Sequence, residues 1–269
     1  MKPAFSTVAC PEWTFAKLAE HAERWGFLGC ELRTFGYGAT QFACDPALTA
    51  PAKVRSLLGR AGVEIASLGT SIRYDEPISP PVIGHLTSDT ERSVRETKGA
   101  LDLAVQLECP LVRVFGFELH GSERRKSALD RIAGRLVKAA DYARNSGVSL
   151  MIENGGSFPT ATSLAEVLDA VNSPLLTAAY SVPVAALAGE SAAAGINVLG
   201  ERLACVKLRD FKSGRPCALG AYGGFCSTHG LPRLGRAVAA DEEKCPAEKT
   251  GASTLGCAIA FVRARRASR

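Results

Sequence analysis

Apolar positions along this 269-residue chain follow two rhythms that take turns. "AFSTVAC", closed by Pro11, is a short apolar run of strand type. The next stretch, "WTFAKLAEHAERWGF", places Phe15, Leu18, Ala19 and Ala22 on one face at helical spacing, and Gly26 ends it. "GCELRTFG" then reads as a second strand. "PALTAPAKVRSLLGRAG" reads as a second helix, stopped by Gly59 and Gly62. "VEIASLGTS" is a third strand, followed by a polar loop carrying "DEPISPPVIG".

The alternation continues. "SDTERSVRETKGALDLAVQLEC" predicts a helix with Ser88 or Asp89 as N-cap. "PLVRVFGF" predicts a strand, and "SERRKSALDRIAGRLVKAADYARNSG" a long helix closed by Asn145 and Gly147. "VSLMIENGG" is a strand. "SLAEVLDAVN" is a helix with Ser163 and Glu166 as a capping box. "LLTAAYS" is a strand, "VPVAALAGE" a plain loop, "GINVLGER" a short helix and "LACVKLRD" a strand. From Gly214 the regularity fails: "GRPCALGAYGGFCSTHGLPRLG" is a poor helix by propensity. An eighth strand is expected at "RAVAAD" and a last helix at "LGCAIAFVRARR".

Strands separated by about 30 residues cannot be joined by hairpins, so each unit is a βαβ crossover in a parallel sheet. Seven or eight such units predict a (β/α)8 TIM barrel, irregular or incomplete at the seventh and eighth units, rather than an open doubly wound sheet. The chain is expected to form one domain over residues 1–269. No G-x-G-x-x-G or Walker loop follows the first strand, which argues against nucleotide binding.

Composition narrows the picture. Apolar residues make up 46% and charged residues 22%, an ordinary globular balance. The net charge of +5 is scattered. "RARRASR" reads as a solvated helix end, so no nucleic-acid partner is expected. No apolar run approaches the roughly 18–20 residues that span a membrane. "MKPAFSTVACPEW" lacks the apolar core of a secretory signal. The nine cysteines are odd in number and form no C-x-x-C pair. Cys10, Cys30, Cys44, Cys109 and Cys205 read as reduced core residues of a cytoplasmic protein, not zinc ligands.

In a parallel barrel the chemistry gathers at the C-terminal ends of the strands. Glu153 ends the fifth strand, as a metal ligand, a general base or a loop-capping carboxylate. Tyr180 and Ser181 end the sixth. On the seventh, an inward Cys205 implies an inward Lys207 and Arg209. A lysine buried there needs an anion or loses its proton, so it is a structural ion pair, a substrate cation or an imine-forming nucleophile. The eighth strand would end at Asp241. Arg113 is a further inward cation for a substrate oxygen, and Glu31 a buried partner for an Arg or Lys. His21, His85, His120 and His229 fall at no strand tip.

The order "GFLGCELR", "VRVFG", "SLMIENGGSF", "SPLLTAAYSVPVAALAGES" and "LGERLACVKLRDF" resembles the xylose isomerase-like TIM barrels, the sugar phosphate isomerases and epimerases. The likeness spans about residues 4–212 and, more weakly, 236–265, with 218–256 poorly matched. It implies a small sugar or sugar phosphate as substrate and proton transfer next to a carbonyl. It also implies one divalent metal (Mn²⁺, Mg²⁺ or Co²⁺) held by Glu, Asp, His and Glu on strands five to eight. Carried over by position, the strand-five Glu is Glu153 and the strand-eight Glu is Asp241. The strand-six Asp and His are Ser181 and Val184, and the strand-seven His is Lys207. The resemblance thus leaves Glu153 and Asp241 as metal ligands and catalytic carboxylates, and Lys207 as a third catalytic candidate. Arg113, Arg209 and Glu31 become substrate contacts. The alternative is a pseudoenzyme that binds a sugar or a protein partner without turnover.

Overall fold

The computed structural model describes residues 2–45, 47–78, 91–121, 123–212, 215–217 and 258–261, with side chains through Arg209. The strands are β1 (Lys2–Ser6), β2 (Gly29–Phe35), β3 (Gln41–Phe42), β4 (Glu64–Arg73), β5 (Leu111–Phe115) and β6 (Ser149–Glu153). They continue with β7 (Leu176–Ser181), β8 (Leu203–Leu208), β9 (Asp210–Lys212), β10 (Arg215–Cys217) and β11 (Ala258–Phe261). The main sheet runs β1-β11-β8-β7-β6-β5-β4-β2-β3, and β1 also pairs with β2. That extra pairing closes eight strands into a ring. β1, β2, β4, β5, β6, β7 and β8 are mutually parallel where they pair, as a barrel of βαβ units requires.

The closing strand departs from expectation. Ala258–Phe261 lies in the stretch expected to be the last helix, yet it forms β11, antiparallel to both β1 and β8. Four apolar residues, "AIAF", fill the gap between two strand edges. Satisfying those edge hydrogen bonds outweighs the helical periodicity. The expected strand at 236–241, with Asp241, lies outside the described residues, as do Ser88 and Asp89.

Helices alternate with the strands as the periodicity requires. Phe15, Leu18, Ala19 and Ala22 of the helix Phe15–Arg24 are its buried residues, and the Thr14 side chain caps its start. The long helix Arg125–Ala143 is followed by Asn145 and Gly147, both at positive φ. Two local expectations are corrected. The helix Ala161–Val171 is capped by Thr160 with Ser163 at its third position, while Glu166 pairs instead with Arg125. The stretch read as a plain loop after β7 holds a six-residue helix, Val182–Leu187, started by Pro183 near its N-terminus.

The main core lies between the ring and its helices, and includes Phe5, Phe15, Leu32, Leu68, Val112, Ile152 and Val206. A second, smaller cluster fills the barrel itself: Ala4, Leu111, Met151, Ala179, Ala204 and Cys205. This apolar plug is the floor on which the polar site stands.

Candidate functional site

Side chains alternate along a strand, so the residue two positions beyond each plug residue points into the barrel one layer higher. Ala4 is followed by Ser6, Leu111 by Arg113, Met151 by Glu153, Ala179 by Ser181 and Cys205 by Lys207. Ser6 and Ser67 are the register partners of Glu31, and Ser181 is that of Lys207. The layer above the plug is therefore polar and charged.

The charges are closely coupled. Lys207 Nζ lies 2.7 Å from Glu153 Oε2 and 3.1 Å from Glu31 Oε2. Arg113 Nη1 donates to the same Glu153 oxygen at 2.7 Å. Ser6 Oγ donates to Glu31 Oε1 at 2.7 Å. Glu31, Arg113 and Lys207 are 1%, 7% and 6% exposed, so the two cations and two carboxylates cancel within a low-dielectric interior. Gly69 makes room for them: a Cβ there would lie 2.9 Å from Glu31 Cδ and 3.2 Å from Arg113 Nη2.

Ionisation follows from this arrangement. Burial opposes the charge of Glu31, but Lys207 and Arg113 outweigh it and bring its pKa down to about 2. Glu153 faces the same contest and also ends below its ordinary value. Burial and Arg113 disfavour the Lys207 ammonium, yet Glu153 and Glu31 together hold its pKa above the usual lysine range. A lysine that keeps its proton is poorly suited to imine formation. Burial drives the neighbouring Cys205 thiol well up, so it is inert.

Glu153, Lys207, Arg113 and Glu31 are thus brought together. Arg209 is half-buried just beyond the end of β8, two residues above Lys207. Asp241 lies outside the described residues. Sequence reasoning passed over three further residues. Arg33 stands two positions beyond Glu31, and alternation alone would have placed it at the mouth. Ser6 is short and ordinary in sequence. Asn154 ties the β6 tip to the β7 tip, accepting from Ser181 N at 2.5 Å and donating to the Ser181 carbonyl at 3.1 Å. The "ENGG" turn was its only signal.

Among the described residues the donor set does not fit a divalent metal. Glu153 and Glu31 already enclose an ammonium, Ser181 offers only a hydroxyl, and a cation entering here would meet two positive neighbours. Among the described residues no group of three or more His, Cys, Asp or Glu could hold a metal ion. The five described cysteines are buried and free.

The family model described as xylose isomerase-like TIM barrel matches residues 19–229. The chain belongs to the xylose isomerase-like TIM barrel family. Comparison with curated proteins finds no match. Solved structures of the same fold include the probable 3-DHS dehydratase AsbF from Bacillus anthracis, at 16% identity and TM-score 0.65, covering 80% of this chain and 75% of that one. D-allulose 3-epimerase from Methylomonas sp. is similar at 18% identity and TM-score 0.58, covering 76% and 70%. IolI protein with a bound zinc atom is similar at 16% and 0.59, covering 80% and 76%. At these identities the likeness is one of fold. No described helix of this family member is long and apolar enough to cross a membrane.

Proposed function

We propose that this barrel acts on a small sugar or sugar-like molecule by moving a proton next to a carbonyl, without a divalent metal. Glu153 is the base, and Lys207 and Arg113 are fixed cations that stabilise the enediolate oxygen. Family membership supports the reaction class. The sugar epimerases of the same fold lend it an analogy.

The observation that carries this reading is the Glu153 oxygen that the two cations share. Lys207 Nζ and Arg113 Nη1 each lie 2.7 Å from Glu153 Oε2, and the side chain keeps 11% exposure at the mouth. Removing a proton beside a carbonyl puts negative charge on the carbonyl oxygen. A preorganised ammonium and guanidinium in a dry site are suited to receive it. Arg209 and Glu31 complete the reading, as a substrate contact at the rim and as the counter-charge that seats Lys207.

The same clamp favours a second reading, a barrel that binds a sugar without turnover. A carboxylate held below its ordinary pKa is a weak base, and Brønsted behaviour makes weak bases slow. Solvent exchange separates the two. Chelator-treated protein incubated with a panel of ketoses in D₂O is expected to place deuterium next to the carbonyl, and Glu153→Gln to abolish it. Ligand-induced thermal stabilisation without any exchange would select the second reading instead.

A further inference from the structure

Two guanidinium groups dock side by side on β4. Arg33 Nη1 donates to the carbonyl of Gly69 at 2.7 Å, and Arg113 Nη2 donates to the carbonyl of Thr70 at 3.1 Å. Successive carbonyls of a strand point toward opposite neighbours, so consecutive Gly69 and Thr70 can serve a cation from β2 on one side of β4 and one from β5 on the other.

The two arginines differ in what neutralises them. Arg113 has Glu153. Among the described residues, Arg33 bonds two neutral oxygens, the Gly69 carbonyl and the Ser71 hydroxyl, and forms no ion pair with a carboxylate. Below it the four charges of the buried layer already cancel, so among the described residues Arg33 adds a positive charge that no carboxylate pairs. Its environment registers that charge: burial and then Arg113 push its pKa down, against the pull of Glu31 and Glu153. Arg113 Nε is a second unfilled donor, buried and without a partner among the described residues. A guanidinium offers five N–H donors in a planar fork, and the contacts named use two of those on Arg33. Two residues further along the same face of β2, Phe35 is 44% exposed and gives the rim an apolar wall.

We infer that the mouth selects a ligand carrying an oxyanion, a carboxylate or a phosphate, which Arg33 binds beside the Arg113 guanidinium. Planar, paired donors match a carboxylate or phosphate edge better than a lone hydroxyl. A metal-free site also needs some other anchor for the substrate, and an anion on Arg33 supplies one away from the reacting carbon. The inference rests on the proposed reading in placing the ligand at this mouth, and it names the substrate class within it.

Calorimetric titration tests it with D-fructose, D-fructose 6-phosphate, D-gluconate and inorganic phosphate, at low and at physiological salt. The anionic ligands are expected to bind roughly 10–100-fold more tightly than the neutral ketose. Arg33→Gln is expected to erase that gap and Arg33→Lys to keep part of it, with unchanged circular dichroism in both. Preference for the sugar phosphate and inorganic phosphate identifies a phosphate site, and preference for gluconate a carboxylate site. Equal binding of neutral and anionic ligands, or a gap that survives Arg33→Gln, overturns the inference while leaving metal-free proton transfer standing. Should Arg33→Gln not fold, a wild-type anion preference that is insensitive to salt overturns it equally. No binding by any of the four, with no solvent exchange, overturns both.

Discussion

Ser181 and Lys207 are register partners across β7 and β8, so a small hydroxyl stands beside a buried ammonium. The ammonium is held in turn by Glu153 and Glu31. The barrel thus carries its positive charge on its own chain.

Metal binding is the first consequence. Titration of the purified protein with Mn²⁺, Co²⁺ or Mg²⁺ is expected to give no stoichiometric heat up to millimolar concentration, and a chelator to leave the melting temperature unchanged. The double variant Ser181→Asp, Lys207→His replaces hydroxyl and ammonium with a carboxylate and an imidazole beside Glu153. It is expected to gain Co²⁺ affinity of at least tenfold over the wild type. Tight metal binding by the wild type would refute the charge argument.

The ion pairs predict strong coupling in stability. Lys207→Met leaves Glu31 and Glu153 buried with one fewer cation, a change expected to cost roughly 3–5 kcal/mol by chemical denaturation. Adding Glu31→Gln removes the stranded charge and is expected to recover much of that loss. Additive single-variant effects would mean that the two groups do not share one network.

Acid stability carries a definite sign. Glu31 drops from an ordinary 4.5 to about 2 on folding. Its contribution is therefore fully present above pH 4.5 and is lost as the pH falls toward 2, with Glu153 acting in the same direction. For Glu31 this amounts to about 3 kcal/mol. Denaturation midpoints are expected to stay level from pH 5 to 8 and to fall below pH 4. In Glu31→Gln the acid limb flattens. Lys207, with its raised pKa, adds stability that is present below pH 10.5 and declines at higher pH.

Steric fit beneath β7 gives a separate test. Tyr180 donates to Glu190 Oε2 at 2.8 Å, and the same carboxylate oxygen accepts from Ala161 N at the start of a helix. A Cβ on Gly195 would lie 2.1 Å from the Tyr180 hydroxyl. Gly195→Ala is expected to lower stability by about 1–3 kcal/mol. Tyr180→Phe in the same chain should relieve part of it, because the clashing oxygen is gone. A fully tolerated Gly195→Ala would argue against this packing.

Much of this was legible in the sequence, for identifiable reasons. Strands such as "SLMIE" and "LACVKL" are continuous apolar runs because both faces are buried, and alternation within them places Glu153 and Lys207 correctly over Met151 and Cys205. Helices such as Phe15–Arg24 announced their buried face by spacing. What could not be read was pairing across distance. Glu31 and Lys207 are 176 residues apart in the chain, and no local rule joins them. Alternation would have placed Arg33 at the mouth, but its partners, Gly69 and Ser71 on β4, lie 36 and 38 residues along the chain and no local rule joins them. β11 was missed because the two edges that turn "AIAF" into a strand belong to β1 and β8, far away in sequence.

That closing strand also sets an expectation for the order in which the molecule comes together. Lys2 faces Phe261 across the β1–β11 seam, so the pairing joins nearly opposite ends of the described chain and carries a large loop-closure cost. Local βαβ units can form well before it does. Until the seam zips shut, β1 and β8 present raw edges, and Lys207 and Glu31, one on each side of the gap, remain wetted rather than locked. Closure of the seam and assembly of the charges above the floor are therefore expected to coincide late in folding, and open β1 and β8 edges before that point are the expected sites of aggregation.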